Sequence, residues 1–490
     1  MREWSPPNPK YPPPKAGEPT LHRAARLGDH EAIRAAVAGG TPVDDLFAIN
    51  LDPGGHPEPA TPLMVAAGSG DGATVETVRL LLDLGASIEP GPSGLSALFY
   101  GCQGLGWNYP PGGDAERVAV LLAEGSDPNV ARAAGKHRGT GLSALARAAR
   151  TGDPDRVGLL LEAGANPSSG TPDLRFEVPI YEAAASGSGE CVRLLLAAGA
   201  ELHFVLSRNQ VPVLASAASL EVLSVLLAAG ADPNEPCGHG MSVAGNIARH
   251  AGCGVDERVA MLELLVDNGV DLNAPTPSGT PLSGAALAGD SEAVEALLAA
   301  GADPRGPGNP MAMVCFSGSE ARAEGIERTV HLLVDAGLDP DDVDEHGYRP
   351  LHAALSPDAY GPGYQESDGF NLAAAVALLD RGASLDLEFP ATGYRPLHAA
   401  AAAGSDELVA RLLAEGEDLT ARAAGGETAL DVARAHLDGL EGSPPDLDDA
   451  LPSFAPHVTE QLRQRQLDHH EVSLTRARRS VDLLSDAPGA

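Results

Sequence analysis

A phrase of the form Leu-Leu-x-x-Gly-Ala-Asp-Pro recurs along almost the whole chain of 490 residues. Clear copies are LLLEAGANP at 159–167, LLAAGADPN at 226–234 and LLAAGADP at 297–304. The glycines of the copies are Gly85, Gly125, Gly164, Gly199, Gly230, Gly269, Gly301, Gly337, Gly382 and Gly416, with a weaker copy at Gly39. Their spacing lies within the period of about 20 to 50 residues that is typical of stacked repeat proteins. The recurrence therefore predicts an array of small helical modules.

A second recurring phrase begins the first helix of each module. It reads TPLMVAA at 61–67, TPLSGAA at 280–286 and RPLHAAA at 395–401. Proline suits the first helical position, because its backbone angle is preset and the missing N–H would have no intrahelical partner there. A Gly-Asp or Gly-Ser turn and a second apolar helix follow, and the glycine of the first phrase ends that second helix in a left-handed conformation.

Together the two phrases closely resemble the ankyrin repeat over roughly residues 19–439, in about twelve modules. The resemblance implies an all-α solenoid of stacked antiparallel helix pairs with short hairpin-like fingers. It also implies a non-catalytic scaffold that binds a protein partner through its finger tips, inner helices and concave groove.

The chain divides into three predicted parts. Residues 1–18 are a Pro-rich lead-in that we expect to be disordered, and residues 19–440 form the ankyrin repeat array. Residues 441–490 comprise a linker and a polar helical segment at 457–484. This segment is interpreted either as a capping helix, since terminal repeats need a polar outer face, or as a tail whose arginines contact the acidic body or another molecule.

Several modules depart from the pattern. The module at 212–234 leaves little room for a turn between its helices, and the module at 311–340 has MAMVCFSGS in place of the usual opening phrase. Two others carry insertions between their helices, GCQGLGWNYPPGGD at 101–114 and SPDAYGPGYQESDG at 356–369. These insertions are either tolerated surface loops or functional ones.

The insertions contain four of the eighteen Phe, Tyr and Trp residues of the chain, namely Trp107, Tyr109, Tyr360 and Tyr364. Aromatic side chains dominate many protein interfaces. The functional interpretation therefore makes these four residues candidate partner-binding anchors.

The formal net charge of −35 opposes binding to nucleic acid or to anionic lipid and favours a basic partner, although acidity also maintains solubility. The acids are concentrated before Gly347, where Asp341, Asp342 and Glu345 are candidate partner-binding residues. A neighbouring acid, Asp344, is expected to support the finger turn, which leaves the others surplus to the fold.

Composition agrees with a soluble helical array, for which we expect a cytoplasmic location and a monomer. No apolar run reaches the roughly 18 residues that span a bilayer, and the first residues lack the apolar stretch of a signal peptide. The five cysteines are scattered over different modules, as is typical of reduced thiols in the cytosol.

No residues are predicted to be catalytic, and no cofactor or metal is expected. Cys237-x-His239 and His250-x-x-Cys253 have the spacing of zinc ligands, but a helix would separate the two pairs by roughly 13 Å. His22, His352 and His398 occupy the opening phrase, where the resemblance implies that they connect neighbouring turns by hydrogen bonds.

The sequence thus predicts a non-catalytic interaction scaffold. One version of this function is an inhibitor or immunity-like protein that neutralises a basic enzyme. The alternative is an enzyme or enzyme subunit with an unrecognised site in the tail or the insertions.

Overall fold

The computed structural model divides into two compact units, Met1–Val270 and Asp271–Ala490, and each is described by itself. The residues described are 18–49, 58–91, 94–103, 113–130, 143–170, 178–202, 211–237, 241–249, 253–276, 279–317, 323–343, 348–355, 371–389, 392–442 and 456–487, without the side chains of 48, 49, 58 and 456–469.

The described residues of the first unit form helix pairs. Its α-helices are α1 (Thr20–Leu27), α2 (His30–Ala38), α3 (Pro62–Gly68), α4 (Val75–Asp83), α5 (Ala97–Gln103), α6 (Ala115–Ala123), α7 (Ala144–Thr151), α8 (Pro154–Glu162), α9 (Pro179–Ser186), α10 (Gly189–Ala197), α11 (Leu220–Ala228), α12 (Val243–Ala248) and α13 (Val255–Asp267). The first finger adds an antiparallel pair of strands, β1 (Phe47–Ile49) and β2 (Glu58–Ala60).

First helices pack on first helices, and second helices pack on second helices. The contacts run from α1 through α3, α5 and α7 to α9 on one side, and from α2 through α4, α6 and α8 to α10 on the other. In the short module the first helix is reduced to a 3₁₀ turn at Val213–Ser216, which still bridges α9 and α12. The predicted all-α architecture of stacked helix pairs is confirmed.

The second unit repeats this arrangement. Its α-helices are α14 (Pro281–Leu287), α15 (Ser291–Ala299), α16 (Pro310–Cys315), α17 (Ala323–Asp335), α18 (Pro350–Leu355), α19 (Leu372–Asp380), α20 (Pro396–Ala402), α21 (Asp406–Ala414), α22 (Ala429–Gly442) and α23 (Pro456–Asp486). First helices α14, α16, α18, α20 and α22 contact one another in that order, and second helices α15, α17 and α19 do the same.

Local sequence explains where the helices begin and end. The hydroxyl oxygen of Thr280 accepts a hydrogen bond from the Ser283 N–H at 3.2 Å, so it caps α14 immediately before Pro281. The glycines of the repeated phrase end the second helices with a positive φ, for example 86° at Gly164 and 93° at Gly301. The side chain of Leu297, in α15, is fully buried between the rows.

The long helix α23 packs against α21 and α22. Its buried side chains, Ala477, Ser480 and Leu484, recur at helical spacing. Two ion pairs flank them, from Arg478 to Glu441 at 2.8 Å and from Arg479 to Asp406 at 3.4 Å. These contacts support the interpretation of α23 as a capping helix, which we retain as a proposal together with the three-part division.

Candidate protein-interaction surface

A finger is the segment from the glycine that ends one second helix to the next first helix, and most fingers begin with a side-chain-supported turn. Two positions after the glycine, an Asp, Asn or Ser oxygen accepts a hydrogen bond from the backbone N–H two residues further on. The bond measures 2.9 Å from Asn129 N–H to Asp127 and 2.8 Å from Asn273 N–H to Asp271. Because short polar side chains favour such turns, the Asp of the repeated phrase is needed by the finger itself.

A second set of hydrogen bonds joins five pairs of neighbouring fingers. The residue four positions after the positive-φ glycine of one finger (Gly40 in the first finger) accepts from the backbone N–H two positions after the glycine of the following finger. The pairs are Asp44 with Ser87 (3.0 Å), Asn129 with Asn166 (2.8 Å), Ser168 with Glu201 (3.2 Å), Asn273 with Asp303 (2.8 Å) and Asp341 with Ser384 (3.0 Å). At these five steps the bonds join neighbouring fingers into a row, which we call the finger row.

Two of the predicted acids can be placed in this row. Asp341 accepts the Ser384 N–H, and its own N–H donates to Asp339 at 2.9 Å. The interpretation that the acids before Gly347, which include Asp339, are surplus to the fold is therefore wrong for Asp339 and Asp341, because the finger turn uses the Asp339 carboxylate and the inter-finger bond uses that of Asp341. Asp342 is exposed, and Asp344 lies outside the described residues.

The other candidates, Trp107, Tyr109, Glu345, Tyr360 and Tyr364, also lie outside the described residues. The residues on which the two insertions begin and end are described, however, so the bases of both loops can be analysed.

A glycine contact closes the base of the first insertion. Gly113 has a φ of 83°, and a Cβ atom there would lie 2.1 Å from the carbonyl oxygen of Gly101. Only glycine permits both this backbone angle and this close approach.

Behind Gly113, the buried side chain of Arg117 anchors the start of α6. Its Nε donates to the Asp114 carboxylate at 2.8 Å. Its Nη1 donates to three carbonyl oxygens at the end of α3, those of Ala66 (2.8 Å), Ala67 (3.3 Å) and Ser69 (2.8 Å). The last carbonyls of a helix lack intrahelical donors, and the guanidinium supplies them.

The following repeat anchors the start of the same insertion. Arg156 donates through Nη1 to the carbonyl oxygen of Cys102 at 3.2 Å and through Nε to Asp153 at 2.7 Å. Both ends of the first insertion are thus held by arginines of neighbouring second helices.

Asn371 performs the equivalent task at the end of the second insertion. Its N–H donates to the carbonyl oxygen of Ala354 at 2.8 Å, which brings the two ends of the loop together. Its Oδ1 caps α19 by accepting from Ala374 N–H at 3.0 Å. Its Nδ2 donates to carbonyl oxygens at the end of α16, those of Val314 (3.0 Å), Cys315 (3.1 Å) and Ser317 (2.9 Å).

The three histidines of the opening phrase connect neighbouring fingers. Their Nε2 atoms lie at hydrogen-bond distance from carbonyl oxygens, His22 to Ala60 (3.1 Å), His352 to Glu388 (3.3 Å) and His398 to Glu427 (3.2 Å). Burial lowers the pKa of His22 and His398, which favours the neutral ring. These contacts agree with the structural role that the resemblance implies.

Sequence reasoning missed two aromatic residues on the finger side. Tyr394 is half-buried and stacks on His398 with 5.5 Å between ring centroids, while the ring of Tyr348 meets His352 edge-on at 5.7 Å. The phrase GYRPLHAA, present at both 347–354 and 393–400, could have revealed this pair.

Of the residues with zinc-like spacing, only Cys237 and Cys253 are described. Burial raises the pKa of the Cys237 thiol to about 11, so this group is a thiol at neutral pH. Within the described ranges no group of three or more His, Cys, Asp or Glu side chains is placed to hold a metal, and no helix there is long and apolar enough to cross a membrane.

Comparison with known families agrees with the geometry of helix pairs and fingers. A model for ankyrin repeats in many copies matches residues 378–433, and one for a single ankyrin repeat matches residues 60–90. The chain is an ankyrin repeat protein. Ankyrin repeats imply a protein–protein interaction scaffold, and ankyrin repeat domains are generally non-catalytic.

Two curated relatives align with this ankyrin repeat protein. The E3 ubiquitin-protein ligase KEG of Arabidopsis thaliana is 25% identical over 344 residues, which span 66% of this chain and 20% of the relative. The Ankyrin repeat and KH domain-containing protein mask-1 of Caenorhabditis elegans is 28% identical over 299 residues, which span 58% of this chain and 10% of the relative. The chain therefore covers a fifth or less of the length of either relative.

A structural comparison matches the human ASB11 ankyrin repeat domain. The match has a TM-score of 0.30 and 20% identity, and it covers 55% of this chain and 94% of that domain.

Proposed function

We propose that this ankyrin repeat protein is a non-catalytic scaffold that binds a basic protein partner. Its binding surface comprises the finger side, the adjoining concave surface and the two inter-helix insertions. The observation that carries the proposal is the construction of the insertion bases. In each base, hydrogen bonds to a neighbouring repeat hold the point where the loop rejoins its helix, through Arg117 in the first insertion and Asn371 in the second.

Anchored bases favour binding because a loop that leaves from fixed points loses less conformational freedom when a partner docks. Each insertion carries two large aromatic residues, Trp107 with Tyr109 and Tyr360 with Tyr364. Aromatic side chains bury much apolar area with few rotatable bonds, which makes them effective anchors at the centre of an interface.

The net charge of −35 supports a basic partner, because a strongly acidic surface accelerates its diffusional encounter. Several arginines are already engaged within the fold, as Arg411 is with Asp380 at 2.9 Å. Asp342 is exposed to a partner. An inhibitor or immunity-like protein that covers a basic enzyme in the cytoplasm, and acts as a monomer, would have these properties.

The anchoring role is tested on a partner captured from the native host, by measuring association and dissociation rates. Trp107→Ala and Tyr364→Ala are each expected to raise the dissociation rate at least tenfold, since hot-spot truncations typically cost about 2 kcal/mol or more. The matched control is Val266→Ala, which removes an exposed apolar side chain from the second helix α13. Equal rates for all three variants would exclude the insertions as anchors.

Asp341, Asp342 and Glu345 are proposed to accelerate association. Asp342→Asn should slow association at low salt and leave dissociation nearly unchanged, because rim charges act mainly during encounter. Asp341→Asn should act similarly without disturbing the finger row, since Asn129 and Asn273 accept the same inter-finger bond through an amide oxygen. Glu263→Gln, on the exposed face of α13, is the control. An equal effect on association there would show that these acids act only through the overall negative charge of the chain.

The alternative function, an enzyme or enzyme subunit, is favoured only by the alignment with the E3 ubiquitin-protein ligase KEG. That alignment spans 20% of the relative, so most of the relative has no counterpart in this chain. Ubiquitin transfer by the purified chain with its activating and conjugating enzymes would establish the alternative. A purified chain that binds its partner without such transfer supports the scaffold.

A further inference from the structure

The position directly after the glycine that ends each second helix is a buried site for a small or apolar residue. The side chains there are largely inaccessible to solvent at Ala86, Ala165, Ala200, Ala231, Val270, Ala302, Leu338 and Ala383. In the last finger the same position, after Gly416, holds Glu417. Its side chain is 2% exposed, so an ionisable group occupies a buried position that holds alanine in most of the other repeats.

The nearest opposite charge to Glu417 is Arg395, the residue immediately before α20. The distance from Arg395 Nε to Glu417 Oε2 is 3.8 Å, which is too long for a hydrogen bond. Both carboxylate oxygens and this Nε are inaccessible to solvent and make no hydrogen bond with any residue in the described ranges. A buried carboxylate without such bonds is costly when ionised.

The charged groups that face Glu417 come from two fingers. Arg395 and Asp386 belong to the finger 382–395, and Asp418 belongs to the finger 416–428. Burial raises the pKa of Glu417, whereas the charge of Arg395 and the backbone N–H of Asp418 lower it; the charges of Asp418 and Asp386 raise it by smaller amounts. His398 lies beside Arg395, whose N–H donates to its Nδ1 at 3.3 Å, and burial favours the neutral form of this imidazole.

We propose that Glu417 and Arg395 form a proton-operated latch between the fingers 382–395 and 416–428. With Glu417 protonated, the side chain is neutral and the last finger closes on its neighbour as the alanine-containing fingers do. With Glu417 ionised, a charge without hydrogen bonds lies inside the contact, and the last finger opens more often. The latch therefore sets how rigidly this finger is presented at a given pH, and it does not depend on the partner proposed above.

The direction of the pH dependence follows from proton linkage. Closed and folded chains bind the Glu417 proton more tightly than open or unfolded chains, because the pKa is raised only in the buried site. The wild-type chain therefore loses stability as the pH rises from the ordinary glutamate pKa through the raised one. Acidification through the same window should close the finger.

The test compares melting temperatures of the wild type, Glu417→Gln and Glu417→Ala from about pH 4 to about pH 7.5. Near pH 7.5 both variants should melt higher than the wild type, and the difference should vanish towards pH 4. Glu417→Gln keeps the size of the side chain, and Glu417→Ala restores the residue of the other fingers. Variants that melt no higher than the wild type near pH 7.5, or a difference that is constant with pH, would overturn the latch.

Arg395 provides a second test that isolates the pair. Arg395→Gln should lower the melting temperature of the wild type near pH 7.5 but have little effect in the Glu417→Gln background. Arg349→Gln is the matched control, because Arg349 precedes α18 at the equivalent position and donates to the Asp386 carbonyl oxygen. It should act equally in both backgrounds.

Titration of the Glu417 carboxyl carbon by NMR should give a midpoint above the ordinary pKa of 4.5 and a still higher one in Arg395→Gln. Hydrogen exchange of the 416–428 amides, corrected for intrinsic rates, should slow on acidification in the wild type alone. A midpoint at or below the ordinary value contradicts the proposal.

Discussion

The two insertions leave their modules at the same point, between the paired helices, but different chemistry holds their bases. In the first unit a buried guanidinium, Arg117, reaches the end of α3 from within α6. In the second unit an uncharged amide, Asn371, reaches the end of α16 from the residue that caps α19. A further difference is the glycine contact of Gly113 with Gly101, which belongs to the first base.

The comparison shows that each base needs hydrogen-bond donors for the carbonyl groups at a helix end, but that different residues can supply these donors. The last carbonyl groups of a helix have no intrahelical donors. At both insertion bases, the second helix of the following module begins within hydrogen-bond distance of these carbonyl groups. Charge-assisted hydrogen bonds are stronger than neutral ones. The stability of the first base should therefore depend more on Arg117 than the stability of the second base depends on Asn371. Substitutions at the first base, at the two anchors and in the finger row test these contacts, in order of decreasing expected effect.

The largest effect is expected for Gly113→Ala. The substitution forces alanine into a positive φ and places its Cβ against the Gly101 carbonyl oxygen, which together should cost about 3 kcal/mol or more. Gly382→Ala is the matched control, with a φ of 84° and no heavy atom within 4 Å of the added Cβ. It should cost only about 1–2 kcal/mol in chemical denaturation. Equal costs would show that the base of the first insertion is not closed as described.

A smaller effect is expected from removing each anchor. Arg117→Met keeps an apolar stem but loses every donor, and should cost about 2–4 kcal/mol, compared with about 1–2 kcal/mol for Asn371→Ala. Asn371→Asp sharpens the comparison, since aspartate still caps α19 but directs negative charge at three carbonyl oxygens. It should destabilise the chain at least as much as alanine does, whereas a neutral result would mean that the cap is the main contribution of Asn371.

The smallest effect is expected in the finger row. Asp341→Ala removes the acceptor of the Ser384 N–H and should cost about 1 kcal/mol, while Asp341→Asn should be nearly neutral. Denaturation of both variants checks this. A large cost for the asparagine variant would assign the stabilisation to the charge of Asp341 and not to its hydrogen bond.

Local sequence patterns predicted the modules because caps, turns and the alanine-rich first helices are encoded within a few residues. They failed where a different residue performs the same task. The first helix of the module at 311–340 does begin with proline, Pro310. Asn309 takes the place of threonine before it and caps α16 by accepting from the Ala312 N–H at 3.1 Å, with the unusual φ of 36°. The 3₁₀ turn at Val213–Ser216 has the opening phrase but too few residues for a full helical turn before Ser219 caps α11.

The anchors could not be predicted because they join residues that are far apart in the chain. Arg117 and its Ala66 acceptor are 51 residues apart, and Asn371 and Val314 are 57 apart. No periodic pattern records such contacts. Glu417, in contrast, was visible in the sequence, since aligning the repeated phrases places it directly in the alanine column.

Hydrogen exchange of the chain, free and bound to its captured partner, tests the central claim most directly. The account predicts slower exchange on binding in the insertions at 101–114 and 356–369 and along the finger side, with little change in second helices such as α13. Protection confined to the second helices, with both insertions unchanged, would contradict it.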